Sequence, residues 1–124
     1  MRSPRRLLAA VLAAPLMGAG AEAALAADAA HGRQLFQACA ACHNERADAI
    51  GPSLKGVVGR KAAAAEGFRY SGPMRRAGIV WDEDNLKQYI ADPQAKVPGN
   101  RMPFGGLRDM HDVDDVVSYL KTLN

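Results

Sequence analysis

The apolar positions of the chain fall into three stretches with helical spacing, separated by stretches with none. Leu86, Tyr89 and Ile90 form an inward stripe behind Trp81; Asp82 is a good N-cap, Glu83 and Asp84 suit a first turn, and Pro93 marks the end. Val113, Val116, Val117, Leu120 and Leu123 make a second stripe, with Asp109 as its cap. Near the front, Asp28 caps a helix running to about Ala38, in which Gly32 and Phe36 lie four apart on one face. Between these, residues 51–60 are rich in turn formers, residues 68–78 hold at most one short helical turn near Pro73, and residues 97–107 form a Pro/Gly-rich loop. The pattern predicts one small all-α domain with no internal repeat and no linker. Structureless loops this long in so small a domain usually carry function.

The first residues have a different character. Met1 to Arg6 is basic, Leu7 to Met17 is apolar, and Ala24-Leu25-Ala26 fits a small-residue cleavage site, with Ala19-Gly20-Ala21 as a second choice. Residues 1–26 are expected to be a removed secretory signal peptide, and 27–124 the domain. Export of the mature chain without stable membrane insertion follows, since the apolar run is short for a bilayer span and contains Pro15. Cleavage after Ala26 leaves 98 residues and lowers the formal net charge from +3 to +1. The basic balance of the whole chain is therefore partly a property of the leader, and nucleic acid is not an expected partner. Seven aromatics in fewer than about 100 residues make a marginal core. An apolar cofactor would supply the missing buried surface.

Both cysteines sit in Cys39-Ala40-Ala41-Cys42-His43. Three residues apart on a helix, the two thiols share a face and can reach one porphyrin edge, with the histidine placed to meet the iron; Cys-x-x-Cys-His is the attachment pattern of a c-type haem. A thioredoxin-like dithiol would open a helix after a buried strand, and residues 28–38 read as helix instead. Half of a zinc site would need partners, and His31, His43 and His111 stand at none of the usual spacings. Haem held from one side needs a second axial ligand. Of the methionines after the leader, Met110 opens the last helix and Met74 lies in a polar stretch; Met102 lies in a proline-stiffened loop far in sequence from His43, able to cross to the opposite face.

With Gly32, Phe36, the pentapeptide, Gly51-Pro52, Leu54, Gly59-Arg60, Phe68, Tyr70-Ser71, Gly78-Ile79, Trp81, Tyr89, Pro98-Gly99, Met102, Phe104 and Tyr119-Leu120 in order, the chain resembles the class I c-type cytochromes, small bacterial relatives of mitochondrial cytochrome c. The resemblance spans the whole domain. It implies the cytochrome c fold, three main helices and long loops wrapped around one covalently attached haem c. Cys39 and Cys42 would form the thioethers, and His43 and Met102 would ligate the iron. The Pro52 carbonyl would accept the other ring N–H of His43. Arg60, Tyr70 and Trp81 would bind a buried propionate, and Tyr89 would lie near the Met102 sulfur. Asn100, where threonine is common, is counted among the cofactor-binding positions. Gly32 and Phe36 would pack on Tyr119 and Leu120.

The chain departs from the mitochondrial pattern in places. Seven residues separate His43 from Gly51, a shorter loop; Met74 stands where asparagine is usual; and Ala38, Gln94 and Ala95 replace lysines, leaving chiefly Arg101 at the expected haem edge. The implied function is electron carriage, not catalysis, by a periplasmic monomer serving a membrane cytochrome complex, terminal oxidase or periplasmic dehydrogenase. The alternative is the same domain as the haem-bearing subunit of a periplasmic dehydrogenase or oxidase complex. An enzymatic haem needs an open iron position, which Met102 would fill, and gas-binding four-helix cytochromes carry the motif near the C-terminus. Docking would use the small apolar surface of Ala40, Ala41, Phe104 and Gly105 with shallow salt dependence, or an off-centre basic face from Lys55, Lys61, Arg69, Arg75 and Arg76.

Overall fold

The computed structural model describes residues 26–124; the expected signal segment lies, but for Ala26, outside the described residues. Six helices follow in order: α1 (Ala29–Leu35), α2 (Gln37–Ala40), α3 (Gly72–Arg76), α4 (Glu83–Ala91), α5 (Pro93–Lys96) and α6 (Met110–Leu120). Three of the expected caps are made. The side chain of Asp28 accepts from the Ala30 and His31 amides, Asp82 from Asn85, and Asp109 from His111. The first helix is divided at Phe36, so that α2, with Cys39, continues α1 as a separate short turn. Leu123 falls beyond the end of α6 and packs on the core as part of the terminal turn.

Sequence periodicity does not foresee α5. Pro93 ends α4 and also begins the next helix: Asp92 caps it through Ala95 N–H, and proline at a first helical position loses no hydrogen bond. Among the described residues there is no strand, only an antiparallel bridge between Lys61 and Val80. Around it the Gly59 amide donates to Trp81 O at 2.8 Å, the Trp81 amide to Arg60 O at 2.8 Å, and the Ala62 amide to Ile79 O at 2.9 Å. This short ladder sets Arg60 beside Trp81. No helix among the described residues is long and apolar enough to cross a membrane.

The core is organised by α6. Val113, Val116, Val117 and Leu120 are all buried, and α1 crosses this face. A methyl group on Gly32 would sit 1.9 Å from the Asp115 carbonyl oxygen, so the crossing is closer than any other side chain allows. Phe36 completes it, its ring 5.0 Å from that of Tyr119. One step along, polar groups tie the same two helices. The Asp28 amide donates to Asp115 Oδ1 at 2.6 Å, His31 Nδ1 lies 2.8 Å from Asp115 Oδ2, and Asp112 is 4.0 Å from the same nitrogen.

This pair makes stability depend on pH. The hydrogen bond to Asp115 raises the His31 pKa above its usual 6.5, reinforced by the charges of Asp115, Asp112 and Asp28 and opposed by burial. The bond to His31, then that from the Asp28 amide, lowers the Asp115 pKa below its usual 3.8. His31 therefore contributes fully below its unfolded pKa and loses the contribution as pH rises through its raised folded value. Asp115 contributes above its unfolded pKa and loses the contribution as pH falls through its depressed value. The Tm advantage of the native chain over His31→Gln is expected to be greatest near about pH 5 and to shrink toward about pH 9. Thermal melts of both proteins across that range check it.

Candidate cofactor site

The helices and loops enclose a cavity of about 430 Å³, within the size range of small-molecule and cofactor sites. Its wall includes Cys39, Cys42 and His43 from the α2 end, Arg60 and Trp81 from the bridged segments, Leu86, Tyr89 and Ile90 from α4, and Asn100, Met102 and Phe104 from the loop before α6. All ten sequence-derived positions, from Cys39 to Met102 with Pro52 and Tyr70 among them, thus line one space. Ile50, at 69% the most exposed large apolar residue among the described residues, belongs to the same lining.

The cysteine end is built by helix geometry. The amides of Cys42 and His43 both donate to the Cys39 carbonyl, at 3.0 and 2.9 Å, continuing the α2 turn and presenting both thiols to the cavity. The two sulfurs are not joined to each other as a disulfide. The chain then loops through residues 44–50 and returns under the histidine, where the Gly51 amide donates to Cys42 O at 3.0 Å. A Cβ at Gly51 would lie 2.6 Å from the His43 ring, so only glycine lets the chain pass there. Next in sequence, the Pro52 carbonyl lies 2.7 Å from His43 Nδ1. A carbonyl can only accept, so the proton is on Nδ1, and Nε2 keeps its lone pair for a metal.

Arg60 is held on the opposite flank of the Pro52 turn. Its Nη1 donates to Lys55 O at 2.9 Å and its Nη2 to Ser53 O at 2.7 Å, while Nε is buried without a partner. A buried N–H of a guanidinium lacking an acceptor is costly. An anionic group of the cofactor in this cavity would satisfy it, and a haem propionate is such a group. The donor set also fits: two thiols and an imidazole nitrogen at one end, the thioethers of Met74 and Met102 in the wall, and a largely apolar lining. Tyr70 accepts the Ala65 amide at 3.1 Å through its hydroxyl oxygen, which leaves the hydroxyl hydrogen to donate. Trp81 is buried with its ring 4.9 Å from that of Tyr89, and burial pushes the Tyr89 phenol up to about 12, keeping it neutral.

Three positions behave differently from the sequence expectation. Asn100 lines the cavity, yet both of its amide hydrogens are taken by protein carbonyls, those of Pro93 and Val97. Gln94, read as a surface replacement for lysine, bonds the loop twice instead, donating to Asn100 O and accepting from Gly99 N. The Asp-Pro pair at 92–93 is the signal that would have revealed α5 and with it this role. Met74, expected in a polar stretch, is buried in the cavity wall on α3, whose cap is Ser71.

Comparison with known proteins shows the family to which the chain is similar. The family model for cytochrome c matches residues 29–124. Cytochrome c2 iso-2 of Magnetospirillum molischianum is 49% identical over 90 residues, 71% of this chain and 93% of the relative. Cytochrome c2 of Blastochloris viridis is 40% identical over 112 residues, 88% of each protein. Among solved structures, cytochrome cH from Methylobacterium extorquens is similar with a TM-score of 0.73 at 49% identity, covering 77% of this chain and 98% of that one.

Replacing Arg60 by methionine, similar in length, leaves the Ser53 and Lys55 carbonyls without their donor. A loss of at least about 2 kcal/mol is expected, read from urea denaturation of the haem-loaded protein. Removing the positive charge also makes the ferrous state less favourable, so the midpoint potential should fall. An unaltered potential would place the guanidinium away from the cofactor.

Proposed function

The chain belongs to the cytochrome c family, and we propose that its electron carriage runs through a His43/Met102-ligated haem between redox partners in the periplasm. The protein is an electron carrier with one covalent haem c of the kind its family binds. Cys39 and Cys42 are the attachment thiols in this reading, with Pro52, Arg60, Tyr70, Trp81, Tyr89 and Asn100 around the cofactor. The observation that carries it is the His43–Pro52 hydrogen bond inside a cavity whose wall also contains Met102.

Bound there, the haem supplies a one-electron ferric/ferrous couple. What the chain contributes is position and environment. Pro52 holds the His43 proton at Nδ1 and fixes the ring, so its Nε2 keeps one orientation through both oxidation states. The lining of Phe36, Leu86, Met74, Trp81 and Tyr89 excludes water from the inner end, and exclusion of water disfavours net charge. A thioether from Met102 favours the lower oxidation state of iron, so both effects raise the potential. With His43 and Met102 both committed to holding the haem iron, no open site for a substrate would remain, and the protein would act as a carrier and not an enzyme. Residues 1–26 act as the export signal, placing thiols and haem together outside the reducing cytosol.

The cationic side chains support an off-centre docking face. Arg101 reaches over to the Arg69 carbonyl and Arg75 Nη1 donates to Tyr70 O at 2.8 Å, which ties two guanidinium groups to the 69–70 segment beside the cavity. Acidic partner surfaces would meet that side first.

Two outcomes are expected. In Met102→Ala the weak near-infrared-edge absorption of ferric iron bound to methionine sulfur should vanish and the potential should drop; persistence of the band would assign ligation to another residue. In stopped-flow electron transfer to the natural acceptor, Arg75→Glu should slow association several-fold at low salt, and the difference should disappear toward about 1 M salt, where charges are screened within about 3 Å. Equal rates at low salt would remove this face from docking.

A further inference from the structure

We propose that Asn100 is the residue that positions Met102, and that its side-chain bonds set how readily an outside ligand reaches the iron. The inference rests on Met102 being the distal ligand. Asn100 is the buried polar residue of the core, 7% exposed, two positions before that methionine. Its amide nitrogen donates to Pro93 O and to Val97 O, both at 2.9 Å, and its Oδ1 accepts the Met102 backbone amide at 2.9 Å. One side chain thus bridges the first residue of α5, the residue at its end, and the backbone of the ligand itself.

The anchorage behind it is firm. Pro93 is fully buried and Val97 nearly so, which fixes the two accepting carbonyls to the core. A second clasp closes the loop from outside: Gln94 Nε2 donates to Asn100 O at 3.0 Å, and Gln94 Oε1 accepts the Gly99 amide at 3.1 Å. Residues 97–102, which form no helix or sheet of their own, are thereby tied to α5 by the side chains of Asn100 and Gln94, beside one turn bond from the Asn100 amide to Val97 O and the bond of Arg101 to Arg69 O. Without the bridge the Met102 amide loses its acceptor, while the Pro93 and Val97 carbonyls each lose one of two donors and keep the backbone amides of Val97 and Asn100, so release of the loop to water becomes less costly.

Threonine, the residue the resemblance leads one to expect here, has one hydroxyl hydrogen and cannot donate to both carbonyls. Asparagine has the two hydrogens and the one acceptor that this arrangement uses. Its role is therefore in the loop, with its donors already committed before any cofactor is considered.

An exogenous ligand must displace Met102, so its apparent affinity for ferric protein is its intrinsic affinity multiplied by the fraction of molecules with the loop released. Imidazole is a suitable probe, titrated into haem-loaded ferric protein and followed by the visible spectrum. Loss of the bridge in Asn100→Ala should raise the apparent imidazole affinity at least about tenfold. Asn100→Asp keeps the acceptor for Met102 but turns a carboxylate toward two carbonyls, and should do the same. Gln94→Ala, at an exposed position, should raise it about threefold. Val117→Ala, at a fully buried position of α6 that does not line the cavity, serves as the control for plain destabilisation: it should lower the urea midpoint and leave imidazole affinity within about twofold.

Imidazole affinity unchanged in both Asn100 variants, or raised equally by Val117→Ala, would overturn the proposal. If Asn100→Ala cannot be isolated folded, Asn100→Asp and Gln94→Ala decide on the same criterion. The ligation reading is tested separately. If Met102→Ala retains the near-infrared-edge band, that reading has failed and not the bridge; if the band is lost there but the Asn100 and Gln94 variants bind imidazole as the native chain does, the bridge has failed alone.

Discussion

The crossing of the first and last helices is the contact on which the rest of the molecule depends. It is possible only because Gly32 has no side chain to push against the Asp115 carbonyl, and it brings α1, with the cysteine turn that follows, onto the buried valines of α6. Once those two helices are fixed, one wall of the cavity is fixed. The other walls are loops, and loops keep their shape only if their backbone groups find partners. Here many of those partners are side chains: Arg60 for the Ser53 and Lys55 carbonyls, Asn100 for Pro93 and Val97, Arg75 for Tyr70.

This division of labour explains how so few helical residues enclose so much apolar surface. A small domain ordinarily buries its own side chains against one another. In this one Phe36, Leu86, Met74 and Trp81 are each at the cavity as well as in the core. Their packing is completed from within by the family's covalent cofactor, so stability and function draw on the same contacts.

The cap-and-stripe pattern was enough to locate α4 and α6 in the sequence, because Asp82 and Asp109 precede regular apolar spacings. The pentapeptide, with its fixed spacing, pointed to the cofactor. Residues 93–100 were less legible. Pro93 reads as a stop, and its second meaning as a first helical residue shows only with Asp92 beside it. The pairing of His31 with Asp115 was out of reach for a different reason: the two lie 84 positions apart, and no local spacing encodes which exposed groups will meet across a helix crossing. Met74 was misplaced by its polar neighbours Arg75 and Arg76, which are exposed while Met74, on the same short helix, turns inward.

The bond from the Asp28 amide to Asp115 spans 87 positions. Closing a loop of that length costs on the order of 4 kcal/mol in chain entropy, and the segment that closes it is made last. The cysteine turn is therefore present in the growing chain long before α6, which packs on α1, has been made, and until then its thiols lie on an open polypeptide.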